Sequence, residues 1–176
     1  MTQNQIVQPI AKLLHDDGVF PNNARLSLLA YRGAVELPPR DPASAFETLF
    51  QANGWGNGWR NGVYPFHHYH STAHEVLGVY SGAARVQLGG EEGIVLETGP
   101  GDVLIIPAGV AHKNLGSSAD FRVVGAYPRG QHPDMNDGRP GERPRSDRNI
   151  IAVPLPQADP VYGVNGPLVR QWTKQV

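Results

Sequence analysis

Seven histidines occur in this 176-residue chain, and four of them crowd into Phe66-His67-His68-Tyr69-His70-Ser71-Thr72-Ala73-His74-Glu75. In an extended strand, residues two apart point to the same side, so His68 and His70 would present two imidazoles in parallel. A short turn over residues 71–74 would then bring Glu75 back beside them on an adjacent antiparallel strand. Two neutral imidazoles and one carboxylate converging on a point suit a borderline divalent ion. A histidine-rich tract can also be no more than a solvated strand face, so the reading depends on a further ligand arriving from elsewhere in the chain.

The chain offers one. In Gly101-Asp102-Val103-Leu104-Ile105-Ile106-Pro107-Ala108-Gly109-Val110-Ala111-His112, an apolar strand runs into a Pro-Ala-Gly turn and then presents a histidine. Proline and glycine set the dihedrals of that turn, so the backbone itself aims His112. His67 precedes a ligand by one residue and should point away from the ion. His74 sits in the turn or on the face opposite Glu75, and both are expected to lie outside the ligand set. His15 and His132 carry no supporting pattern and read as loop residues.

These residues need a rigid frame, and the composition suggests which. The chain holds 21 glycines and 16 prolines, which suits many short strands joined by tight turns. Its length fits one domain. We expect residues 1–176 to form one unit, with a core barrel at about 60–128, N-terminal strands and a helix over 6–54, and a C-terminal extension over 129–176. Strands are expected at 10–14 and 26–31, and then at 76–80, 83–88, 94–96, 103–106 and 121–126. The roughly ten-residue spacing of that second group points to an antiparallel sandwich or barrel.

One helix is expected over residues 42 to about 53. Asp41 can cap it, Pro42 suits its first position, and Gly54 can take the left-handed conformation that ends it. Residues 54–62 read as a glycine-studded loop. Its two tryptophans would plug one end of a core or, alternatively, form an aromatic wall near a ligand. Residues 128–149 read as a long polar loop and 150–155 as a return to strand. The apolar patch at 168–172 should dock somewhere, a second subunit being one candidate.

Charge and composition exclude several functions. Fifteen basic and 16 acidic side chains nearly cancel, so nothing points to nucleic acid or an anionic membrane. There is no cysteine, which removes disulfides, thiolate metal sites and cysteine nucleophiles. Residues 1–18 lack a basic segment followed by a long apolar run, and no stretch reaches the length of a membrane span. The expectation is a soluble cytoplasmic protein that acts on a small molecule.

At this point the sequence resembles the cupin superfamily. Its first motif is Gly, five residues, His-x-His, three or four residues, Glu, six residues, Gly. Gly62, His68, His70, Glu75 and Gly82 meet it. The second is Gly, five residues, Pro-x-Gly, two residues, His, three residues, Asn. Gly101, Pro107, Gly109 and His112 meet it, but Gly116 stands at the last position, with Asn114 nearby. The asparagine is not a metal ligand in the family pattern, so the departure spares the metal site. Looser similarity from Asp16 to Tyr162 resembles the YjlB-type bacterial cupins, a group with no settled activity.

The resemblance implies an all-β, RmlC-like jelly-roll barrel with one short helix before the first motif. It also implies one divalent ion (Fe, Mn, Ni or Zn) on His68, His70, Glu75 and His112. Such an ion could serve an oxygenase, decarboxylase or isomerase, or could anchor a ligand in a non-catalytic barrel, and fold alone does not choose. By strand alternation, Tyr64, Phe66 and Asn114 are the candidate substrate contacts, and of these only Tyr64 could transfer a proton. A homodimer through the outer sheet and the apolar termini is expected.

Overall fold

Strand β4 (Glu75–Ser81) shows how the layers arise. Leu77 and Val79 point into one apolar cluster, whereas Val76 points into another on the opposite face. A strand buried on both faces needs a layer on each side, and the chain supplies both. The computed structural model describes residues 6–176. Around β4 its described strands are β1 (Ile10–Leu14), β2 (Asn23–Tyr31), β3 (Trp55–Asn61), β5 (Ala84–Leu88), β6 (Ile94–Thr98), β7 (Val103–Ile106), β8 (His112–Ser117) and β9 (Arg122–Pro128). The helices are α1 (Pro42–Ala52), α2 (Arg145–Ala152) and α3 (Pro167–Thr173).

Six strands form one sheet in the order β1-β2-β7-β4-β9-β3, and three form a second in the order β6-β5-β8. Every pairing among them is antiparallel. The inner cluster, including Leu28, Leu77, Val86, Leu88, Leu104 and Phe121, lies between the sheets. The outer cluster seats Phe46 and Phe50 of α1, and Leu168 and Trp172 of α3, on the far face of the larger sheet. Burying each such side chain contributes about 1.5–3 kcal/mol before entropy is counted. The result is the jelly-roll architecture expected from the sequence. No described helix is long and apolar enough to cross a membrane. The leader expectation falls partly on residues 1–5, which lie outside the described residues.

Several local expectations need correction. Asp41 does not cap α1 with its side chain. Its backbone is left-handed (φ 46°), and its carboxylate pairs with Arg60 at 2.9 Å. Gly54 is left-handed as expected, at φ 79°. Residues 55–61 form strand β3 at the edge of the large sheet and not a loop, because β9 supplies a ladder that no local pattern announces. Residues 145–152 form helix α2 where strand character was expected over 150–155; Ile150 packs over the turn glycine Gly109, and Ile151 faces solvent. The patch at 168–172 is helix α3, folded onto its own chain, where Trp172 Nε1 donates to the Ser27 carbonyl at 2.9 Å. Its apolar residues Leu168 and Trp172 are buried in the chain's own core. In the N-terminal edge strand β1, Ile10 and Leu13 are exposed.

Candidate metal centre

Three histidines meet because two separate segments are tied together at their backbones. His68 and His112 form an isolated antiparallel bridge, with His112 N–H donating to the His68 carbonyl at 2.9 Å and the reverse bond at 3.2 Å. Residues paired in this way present their side chains on one face, and the two rings lie 4.1 Å apart. His70 shares that side, its ring 5.6 Å from His68 and 5.8 Å from His112. The turn before His112 is also tied down, since Gly109 N–H donates to the His70 carbonyl at 2.8 Å. Residues 68–70 are thus held by single bridges and not by the regular strand pairing with β4 that the sequence suggested.

Each ring is oriented through its Nδ1. His68 Nδ1 lies 3.3 Å from the Phe66 carbonyl, His112 Nδ1 lies 3.1 Å from the Val110 carbonyl, and His70 Nδ1 meets the Asp134 carbonyl. A carbonyl can only accept, so each Nδ1 carries a hydrogen, and in the neutral ring it is Nε2 that offers the lone pair. Metal-binding imidazoles are commonly fixed by such partners. The ligating atoms of the three histidines lie within 4.8 Å of one another, an arrangement compatible with a metal ion.

Glu75 enters from the start of β4, 2% exposed. Its Oε2 lies 3.1 Å from His112 Nε2 and 3.5 Å from His70 Nε2, yet no hydrogen bond of acceptable direction reaches it. A buried, unpartnered carboxylate oxygen beside imidazole lone pairs is what a cation would satisfy. Burial works against its charge, but His70 and His112 outweigh that and hold the Glu75 carboxyl below the usual carboxylate range. Burial likewise opposes charge on His70, while Glu75 holds its pKa above the ordinary value. Burial, with His112 and His70 nearby, pushes His68 down to about 3.

These groups form one wall of an open cavity of about 270 Å³, whose other walls include Trp59, Arg60, Val63, Tyr64, Leu77, Tyr127 and Met135. Arg60 brings no free charge to it, because its guanidinium is occupied by Asp41 and Glu47.

Comparison with known proteins places this geometry. Residues 60–124 match the family model described as "Cupin domain". Over 159 residues the chain is 43% identical to "Uncharacterized protein YjlB" of Bacillus subtilis (strain 168), covering 90% of this chain and 93% of that protein. This chain is a cupin of the YjlB family. Among solved structures it is similar to procruciferin, an 11S globulin of Brassica napus, at 20% identity and TM-score 0.38 over 65% of this chain; it spans only 23% of that chain's length. It is also similar to the dTDP-6-deoxy-D-glucose-3,5-epimerase RmlC of Legionella pneumophila Philadelphia 1, at 15% identity and TM-score 0.43, covering 93% of this chain and 90% of that one.

Within this cupin, Tyr64 lines the cavity and stacks on Phe66 at 4.9 Å, and both rings are about half exposed. Phe66 does not line the cavity, although its carbonyl orients His68. Asn114 lies outside it too, its side chain bonded to Ser117 Oγ and Gly116 N–H. His67 turns away, its ring 5.2 Å from Phe20. His74 is fully buried, accepting from Ala108 N–H at 2.9 Å and packing on Trp172.

Two residues of the site had no signal in the sequence, and a third had one only as an alternative reading. Asp134 lies in the polar segment read as a loop, yet its carbonyl fixes His70 and its carboxylate accepts from Ser71. Tyr127 ends a strand whose inward register appears only once the sheet is assembled. Trp59 belonged to a presumed loop, and the aromatic-wall alternative describes where it lies, whereas Trp55 is the core plug.

Proposed function

We propose that His68, His70, Glu75 and His112 hold one divalent ion per chain (Fe, Mn, Ni or Zn). On this reading the protein is a metal-dependent enzyme acting on a small carbonyl-, hydroxyl- or carboxylate-bearing molecule by oxygenase, decarboxylase or isomerase chemistry. The observation that carries it is the set of Nδ1 anchors, which leaves three imidazole nitrogens within 4.8 Å of one another and one unpartnered buried carboxylate oxygen beside His70 and His112 at a cavity wall. A purely structural ion is usually enclosed on all sides. This one would face a cavity large enough for a small ligand. When bound, the ion would polarise a substrate oxygen. The protein's own part is to orient the donors, keep bulk water away with Trp59, Leu77 and Tyr127, and hold Glu75 ionised.

The test is elemental analysis of protein from its native host, followed by turnover assays with that ion restored. Alanine at any of the four ligands should strip most of the metal, while His67→Ala should retain it. Oxygen uptake or product formation that disappears in Glu75→Ala, with the barrel still folded, would establish the enzyme. Ligand binding without turnover for every metal would favour a metal-anchored binding barrel instead. Full metal retention in His70→Ala would exclude the proposed ligand set.

A further inference from the structure

The edge strand β3 contains a device that the metal site alone does not require. Register along β3 and β9 runs from Gly56 opposite Tyr127 to Trp59 opposite Gly125, so β3 carries one extra residue there. Asn57 within that bulge is left-handed, at φ 52°. One extra residue reverses the facing of everything beyond it. Trp55 accordingly packs in the outer core, whereas Trp59 turns inward to the cavity. The residue opposite must then make way. A Cβ at Gly125 would lie 2.1 Å from Trp59 Cζ2, so only glycine lets the indole lie flat across β9. Two residues further along the same strand face, Tyr127 presents its hydroxyl, and Trp59 Nε1 donates to it at 2.8 Å.

An indole N–H can only donate, so the phenol oxygen must accept, and its own hydrogen must point elsewhere. Among the described residues, the bond from Trp59 is the one of good distance and direction at that hydroxyl; the Glu75 carboxylate also lies near it and raises its pKa, and giving Glu75 to the ion leaves the phenol hydrogen to a bound ligand. Tyr127 is mostly buried, lines the cavity with the four candidate ligands, and stands edge-on to the His70 ring at 5.9 Å. We propose that Tyr127 is a ligand-binding residue whose hydroxyl donates to a small molecule held at the open face of the metal centre, with Trp59 and Gly125 as positioning residues. The proposal rests on the metal-site reading above. It also narrows the ligand class. The molecule carries an oxygen or nitrogen acceptor next to its metal-binding atom, and an apolar body against Trp59 and Leu77. It carries no second anionic group, since Arg60 is already neutralised.

The test uses protein loaded with Co(II) and titrated with azide, read by visible absorption. Losing one neutral hydrogen bond should weaken azide roughly three- to tenfold in Tyr127→Phe. Cobalt content, the azide-free spectrum and the melting temperature should stay unchanged. Trp59→Phe should weaken azide roughly two- to threefold in the wild-type background and not at all in the Tyr127→Phe background, because azide has no apolar body to lie against the indole and feels Trp59 only through that hydroxyl. Gly125→Ala should reproduce Trp59→Phe by displacing the indole.

Equal azide affinity in Tyr127→Phe and wild type would overturn the proposal and leave the metal reading standing. An equal loss from Trp59→Phe in both backgrounds would overturn the positioning role. Cobalt that loads without any azide response would remove the open face and the proposal with it. Failure of the wild type to bind cobalt would mark the metal reading itself as wrong.

Discussion

At His70 a proton competes most directly with an incoming metal ion, because the neighbouring carboxylate favours the charged ring. Burial alone would keep this imidazole neutral, but the adjacent Glu75 carboxylate reverses that preference and raises its pKa. His68 faces the same burial without comparable help and is neutral at any ordinary pH. His68 and His70 are therefore unequal before the ion arrives. Binding needs all three imidazoles neutral, so affinity falls as pH drops, and the fall begins above the ordinary histidine value of 6.5 because His70 holds its proton longer. Calorimetric titration with Zn(II), in buffers of different ionisation enthalpy, should show net proton release that grows as pH is lowered toward the histidine range. Glu75→Gln should reduce that release as well as the affinity. A heat independent of buffer in the wild type would mean that His70 is already neutral.

At the scale of elements, the Pro107-Ala108-Gly109 turn joins the two ligand segments. Gly109 is left-handed at φ 91°, and a Cβ there would lie 2.3 Å from the Asn22 carbonyl oxygen and 2.7 Å from Ile150 Cδ1. Gly109→Ala should cost at least about 2 kcal/mol in urea unfolding and weaken metal binding, because the Gly109 N–H also holds His70. Gly116, where the second motif departs from the family pattern, has open space around it. Gly116→Asn should change stability by about 0.5 kcal/mol or less and leave metal content intact. A large loss there would show that the departure matters. These two glycines also mark what the sequence could reveal. Turn glycines, the helix over 42–52 and most β-runs were legible because local chemistry dictates them. Strand β3 was not, because Gly-Asn-Gly erases the alternation and its ladder comes from β9, far along the chain. Helix α2 was missed because Ile150 and Ile151 have strand preferences that packing against Gly109 overrides. The four motif residues were legible as a set, but their Nδ1 anchors were not, since Asp134 reaches His70 from a segment without periodicity.

At the scale of the whole molecule, His74 connects the site to the chain's far end. Its backbone N–H donates to Gln131 Oε1, its Nδ1 accepts from Ala108 in the ligand turn, and its ring packs 4.8 Å from that of Trp172 on α3. Trp172 in turn bonds β2 through the Ser27 carbonyl. The C-terminal helix thus closes over the residue that precedes Glu75. Burial pushes the His74 pKa down to about 3, from 6.5 in an exposed imidazole. The unfolded chain takes up a proton below about 6.5 that the folded chain refuses, so stability is full above that pH and is lost as pH falls toward about 3. The slope is about 1.4 kcal/mol per pH unit for one such proton. His68 contributes with the same sign, and His70, with its raised value, opposes it, so the measurement must be a difference between variants. His74→Asn keeps an acceptor for Ala108 N–H but cannot be protonated, and its packing loss against Trp172 is the same at every pH. In urea unfolding of metal-free protein, the wild type should lose about 2 kcal/mol more than His74→Asn between about pH 6.5 and about pH 5. Parallel stability curves across that range would show that His74 is protonated in the native state, and that α3 seals it less tightly than its burial indicates.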